Sequence, residues 1–300
     1  MDEFKLRNGM SIPCIGYGPD SLSLMAKYKK DGRLVNRVRN KIRKELIERP
    51  QYVEMLAFTL KSGCRLIDFS ASYGDGSLIA EGVNKSGMKR EQVLYTTRIS
   101  NQAQYDEKIE QEFESQLRGF RTDYMDILML HWPVTDYFEK TWLKMIELKE
   151  KGLCRIIGVA NCNSHHLQRL YDISGQYPEI DQFEVHPLFT QKELVSFCVK
   201  NGIQVEAYTP IARRDDRIYN PPLMKKLSDK YHKSITQLIL RWHIQNGIIP
   251  IIRSMNKDHM RHNLDVFDFH ILEEDMKLID GMNINSRLRY DPDNCDFSAL

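Results

Sequence analysis

The sequence predicts an α/β fold, a (β/α)8 barrel, on three observations. Short runs rich in Val, Ile and Leu alternate eight times with longer stretches of helical spacing. Gly63, Gly152, Gly202 and Gly247 each fall between a helical stretch and the next apolar run, where a helix C-terminus favours glycine. A polar or ionisable residue also closes nearly every run, the pattern of a barrel whose functional face lies at the strand C-termini. The 300 residues suit one such barrel.

Asn8-Gly9, flanked by residues 4–6 and 10–12, predicts a hairpin. Ile12–Ile15 is taken as the first barrel strand. Residues 19–50 break the rhythm as an insertion. Its basic stretch, 27–49, holds Lys27, Lys29, Lys30, Arg33, Arg37, Arg39, Lys41, Arg43, Lys44 and Arg49 against Asp31, Glu45 and Glu48. Val35, Val38, Ile42 and Leu46 recur there at helical spacing, so a basic amphipathic helix is expected, ended by Pro50. The later strands are expected at 65–69, 93–97, 125–130, 155–159, 181–185, 203–207 and 248–252. Helices are expected at 53–62, 106–119, 138–151, 164–173, 191–201, 221–246 and 256–263. The whole reads as one TIM barrel domain over residues 1–300, with a basic helical insertion after the first strand.

Lys plus Arg number 43 against 41 Asp plus Glu, a net charge of +2, which argues against a general nucleic-acid binder. The six cysteines (14, 64, 154, 162, 198 and 295) form no C-x-x-C pair. They read as reduced thiols of a cytoplasmic protein, with neither a disulfide framework nor a metal site expected. The charged start MDEFKLRNG lacks the apolar core of a secretory signal, and no apolar run is long enough to span a bilayer.

Asp68 is the first residue that packing does not explain. It ends the apolar run Leu66-Ile67, and an unpaired buried carboxylate costs several kcal/mol. Tyr73 follows on the loop beyond. Arg98 closes the next strand, His131-Trp132-Pro133 the fourth and Asn161 the fifth. Gln182, Glu184 and His186 lie along or past the sixth, Tyr208 ends the seventh, and Arg253-Ser254 the eighth. A barrel brings these groups to one face.

The order and spacing of these pieces resemble the aldo-keto reductase superfamily over nearly the whole chain outside residues 19–50. The resemblance rests on Leu6-Arg7-Asn8-Gly9, on Ile67-Asp68-Phe69-Ser70-Ala71-Ser72-Tyr73-Gly74, and on Leu130-His131-Trp132-Pro133. Gly158-Val159-Ala160-Asn161, Gln182-x-Glu184-x-His186-Pro187, Ala207-Tyr208-Thr209-Pro210 and Ile249-Pro250 complete it. It implies that the hairpin closes the barrel bottom and that the protein reduces an aldehyde or ketone, or runs the reverse, with a nicotinamide cofactor. By position, Tyr73 would be the general acid, Asp68 would hold the cation, and His131 would orient the substrate oxygen. A phenol has a pKa near ~10, and a nearby cation eases its proton transfer. Asn161 and Gln182 would hold the nicotinamide carboxamide, Tyr208 would stack on its ring, and Thr209 and Ile211 would line the pyrophosphate. Arg253, Ser254, Asn256, His259 and Asn263 would serve the adenosine end, with Arg253 favouring NADP over NAD through the 2′-phosphate.

The chain departs from the family at several points. Arg98 stands where the family has lysine, Ala160 where it has serine, His259 where it has arginine, His262 where it has glutamate, and Pro19 where it has threonine. The arginine keeps open an alternative, a weakly active NADP(H)-binding sensor or interaction protein on the same fold. The expected partner is a small carbonyl or alcohol, and the basic insertion adds the expectation of an anionic one, phosphorylated or carrier-linked. Variable loops at 19–50, 100–105, 134–137, 212–220 and 285–300 would shape its pocket.

Overall fold

The computed structural model describes residues 2–18, 47–70 and 76–299. Tyr73 and residues 19–46, with most of the basic insertion, lie outside the described residues.

The chain opens with β1 (Glu3–Lys5) and β2 (Ser11–Pro13), paired antiparallel in the register Phe4↔Ile12. Eight parallel strands then close into a barrel: β3 (Gly16–Tyr17), β4 (Leu66–Asp68), β5 (Leu94–Ile99), β6 (Met125–Leu130), β7 (Cys154–Ala160), β8 (Ile180–Glu184), β9 (Gln204–Tyr208) and β10 (Ile248–Ile252). β10 pairs back onto β3, as the sequence predicts for this fold class.

One expectation is corrected at the start of the chain. Ile12–Ile15 is not the first barrel strand: residues 11–13 belong to the hairpin, and the barrel begins at Gly16. The helix expected to end at Pro50 lies outside the described residues, while Pro50 itself belongs to another. It sits in the first turn of α1 (Arg49–Lys61), where its missing N–H is no loss.

The strands alternate faces. Leu66, Ile127, Met129, Ile156, Ile180, Ile249 and Ile251 point inward and cluster with Leu6 and Ile12 from the hairpin, which plugs the barrel bottom. The opposite faces meet the helices α2 (Ser77–Ser86), α3 (Asn101–Tyr105), α4 (Ile109–Phe120), α5 (Phe138–Glu150), α6 (Ser164–Ser174) and α7 (Lys192–Lys200). They continue through α8 (Asp216–Tyr219), α9 (Pro222–Tyr231), α10 (Ile235–Gln245), α11 (Lys257–Leu264) and α12 (Glu273–Asp280). The helical region expected over 221–246 is therefore two helices. His232 adopts a left-handed φ of 51°, and the Ser234 hydroxyl caps a new helix through the amide of Gln237. All four inter-element glycines named above have positive φ, from 67° to 107°. Five of the six thiols are buried, and all six are free.

Candidate active site

The inward faces of β4, β5, β8 and β9 turn polar one step above the apolar plug. Because side chains alternate along a strand, Leu66 and Asp68 share a face, as do Ile180 and Gln182. Asp68 (6 % exposed), Arg98 (2 %), Gln182 (3 %) and Glu206 (0 %) therefore meet inside the barrel. Arg98 Nη2 lies 2.7 Å from Asp68 Oδ1 and donates to Gln182 Oε1 at 2.7 Å, while its Nη1 donates to the Phe69 carbonyl at 3.3 Å. The planar guanidinium can bridge two acceptors at once, which a lysine's point charge would do less well. Gln182 Nε2 in turn donates to Glu206 Oε2 at 2.7 Å and to Asp68 Oδ2 at 3.4 Å.

Glu206 was not among the residues singled out from sequence. Its signal was the one that marked Asp68, an acid inside an apolar strand, here Val205-Glu206-Ala207. Burial, with the repulsion of Asp68 behind it, pushes its carboxyl up to about 8.

His131 follows β6. Burial and the neighbouring charge of Arg98 push its imidazole down to about 3, so the ring is neutral at physiological pH. Its backbone carbonyl accepts from Asn161 Nδ2 at 3.0 Å, and Tyr208 donates its hydroxyl to Asn161 Oδ1 at 2.7 Å. Asn161 follows β7 in the left-handed region (φ 62°), and Thr209 leaves β9 likewise (φ 53°). Strained backbone of this kind is commonest where geometry serves a site. Ile211, half-buried, leads into Ala212, Arg213 and Arg214, all with positive φ.

The remaining predicted residues gather at the N-terminus of α11. Arg253 and His259 are exposed there, and the Ser254 carbonyl accepts from Tyr17 at 3.3 Å. Asn256 is the helix cap, its Oδ1 accepting from the amides of Asp258 (2.8 Å) and His259 (3.1 Å). Its oxygen is thus committed to the helix, and a ligand contact would fall to its amide nitrogen. Asn263 is set apart from these residues, buried at the other end of α11, one residue before the helix ends. An exposed guanidinium beside a helix N-terminus suits a phosphate.

Glu184 and His186 do not join the site. His186 Nε2 lies 2.9 Å from Glu184 Oε1, both are fully buried, and Glu184 accepts from the amides of Leu288 (2.7 Å) and Arg289 (2.9 Å). The pair anchors the C-terminal segment. His165, His166 and Asp293 also lie close together. The Asn163 amide donates to His166 Nδ1 at 3.1 Å, which leaves the proton of the neutral ring on Nε2, facing Asp293 Oδ1 at 3.6 Å. This arrangement tethers the same segment, because metal-binding imidazoles present a lone pair there instead.

The sequence pattern of the aldo/keto reductase family matches residues 38–284. The chain belongs to the aldo/keto reductase family. It is 32% identical to a glyoxal reductase of Bacillus subtilis over 99% of this chain and 98% of that protein. It is also 34% identical to the methylglyoxal reductase DkgA of Escherichia coli, over 78% of this chain and 85% of that one. Among solved structures, an aldo-keto reductase from a deep-sea metagenome superposes with a TM-score of 0.85 at 29% identity, covering 98% of this chain and 99% of its own. A Bombyx mori aldo-keto reductase in complex with NADP gives 0.81 at 27% identity, covering 97% and 96%. Among the described residues no helix is long and apolar enough to cross a membrane.

Proposed function

We propose that this member of the aldo/keto reductase family is an NADPH-dependent reductase of small aldehydes and ketones, with α-oxoaldehydes such as methylglyoxal the first to test. The observation that carries this reading is the buried Asp68–Arg98 pair beside a neutral His131, on the face where the strands end. When NADPH is bound, hydride comes from its nicotinamide ring. The phenol of Tyr73, five residues beyond Asp68, donates the proton to the carbonyl oxygen. Arg98 would favour the phenolate left behind, since a nearby cation stabilises the charged form of a phenol. His131 donates a hydrogen bond to the same oxygen; at neutral pH it carries no charge and orients without protonating.

The residues present fit the dinucleotide. Asn161 and Gln182 converge on the strand ends as carboxamide partners, and the Tyr208 ring flanks them. Both Gln182 amide hydrogens are committed to carboxylates, so its free capacity is the second lone pair on an oxygen already bound to Arg98. That oxygen can accept from the carboxamide nitrogen. Thr209 and Ile211 would line the pyrophosphate, while Arg253, Ser254, Asn256, His259 and Asn263 would serve the adenosine end. The guanidinium of Arg253 pairs with a 2′-phosphate, which favours NADP over NAD.

Fluorescence titration with NADPH, followed by an aldehyde panel led by methylglyoxal, tests this reading. Saturable binding and NADPH oxidation are expected. Binding without turnover on any carbonyl would select the cofactor-binding sensor, for which the arginine at position 98 is the favouring observation.

A further inference from the structure

Glu206 is the one member of the buried network to which no role has been given. It is fully buried, and its Oε1 lacks a hydrogen-bond partner. The groups facing it are few. Gln182 lies directly opposite in the β8–β9 register and binds Oε2. Asp68 reaches it from β4 and Arg98 from β5, and the apolar Ile249 stands beside it on β10. Arg98 is already paired with Asp68, so the four-residue network holds one cation for two carboxyl groups. The second carboxyl meets this shortage by keeping its proton, which agrees with its upward shift to about 8.

The two redox forms of the dinucleotide differ by one charge. The oxidised nicotinamide ring is a cation, and the reduced ring is neutral. Resting on the reading above, in which Gln182 holds the carboxamide, that charge arrives at the far end of a side chain whose amide nitrogen is bonded to Glu206. A cation brought there supplies the missing positive charge.

We infer that Glu206 is a positioning residue that couples proton binding to the redox state of the cofactor: oxidised dinucleotide expels its proton to solvent, and reduced dinucleotide leaves it in place. No bond other than Glu206 O–H is broken, and the proton goes to water. By linkage, raising the pH then tightens NADP+ relative to NADPH, so the preference for the reduced form fades on the alkaline side. The balance between reduction and oxidation in this enzyme would follow pH through a side chain that touches neither substrate nor hydride.

The test is the ratio of the Kd values for NADP+ and NADPH from pH 6 to 9. The ratio cancels whatever titrates around the phosphates and adenosine that both share. For the native protein the ratio should fall roughly tenfold per pH unit at its steepest, the limit for one proton. In Glu206→Gln the carboxamide oxygen still accepts from Gln182 but cannot ionise, and the ratio should be flat. Calorimetry on the native protein alone, in two buffers of different ionisation enthalpy, gives an independent readout. Near pH 7 it should show up to one proton released on binding NADP+ and none on binding NADPH. A ratio that varies identically in native protein and Glu206→Gln, or calorimetry showing equal proton release for both dinucleotides, overturns the coupling while leaving the reductase reading intact. Failure of the native protein to bind either dinucleotide overturns both.

Discussion

At the scale of single residues, the arginine at position 98 is the point where this chain asks for its own account. Its fork ties Asp68 to Gln182, so the cation held by Asp68 also binds the proposed carboxamide clamp. A lysine reaches less far and offers one ammonium. Arg98→Lys should release the Gln182 oxygen while keeping the ion pair, so turnover on simple aldehydes should be unchanged or higher. Complete loss of NADPH oxidation in that variant would give the guanidinium a role of its own, such as gripping an anionic substrate. Tyr73→Phe should reduce turnover by a factor on the order of 10² or more with NADPH binding intact. Steady-state kinetics beside a fluorescence titration separates the two effects, and native-level turnover would remove Tyr73 from the chemistry.

At the scale of elements, strands were legible because four apolar runs begin just after Gly63, Gly152, Gly202 and Gly247, residues that do take positive φ. The two-residue strand Gly16–Tyr17 was not legible, since its neighbours Ile12 and Ile15 are equally buried and only the pairing partner tells hairpin from barrel. The break between α9 and α10 rests on one non-glycine residue in a left-handed turn, which composition does not betray. Position alone also gave Asn256 to the cofactor, whereas its geometry makes it first a helix cap. Asn256→Ala should cost about 1 kcal/mol of stability by denaturant titration. By fraying the turn that carries His259 it should also weaken NADPH, and Asn256→Asp should restore the stability. An alanine variant as stable as the native protein would mean that another group caps α11.

At the scale of the whole molecule, buried titratable groups set the pH range of stability from both sides. Burial holds His131 near 3 and His166 near 4, well below the unfolded value of about 6.5. The unfolded chain therefore binds more protons below pH 6.5, and each histidine withdraws up to roughly 2 kcal/mol of stability by pH 5. Glu206 and Asp181 act in the opposite direction. Burial raises both carboxyls, Asp181 with neither oxygen partnered, so the native state holds protons that the unfolded chain sheds above about pH 4. Stability from these two declines as pH rises. Asp181→Asn should accordingly raise Tm at pH 8 more than at pH 5. Equal shifts at both pH values would show that the carboxyl has a partner in solution.

The C-terminal segment has a consequence for how the protein is made. Leu188 O accepts from the amides of Ile284 and Ser286, Glu184 holds Leu288 and Arg289, Asn163 Nδ2 holds Asp293 at 2.6 Å, and Asn101 Nδ2 holds the Phe297 carbonyl at 3.0 Å. Every one of these partners is translated well earlier, Glu184 by 104 residues before Leu288 and Asn101 by 196 before Phe297. A ribosome-bound chain can thus close all eight strands while Glu184 still faces the barrel rim with two of its hydrogen bonds unmade. The rim is finished only when residues 284–297 leave the exit tunnel, which for Ile284 comes 32 residues after Ile252 (284 − 252). Nascent chains arrested far enough past Ile252 for β10 to have cleared the tunnel, but with residues 284–297 still inside it, should for that reason be compact yet readily cleaved by protease around the loops after β7 and β8, and adding the last stretch in trans as a peptide should protect them.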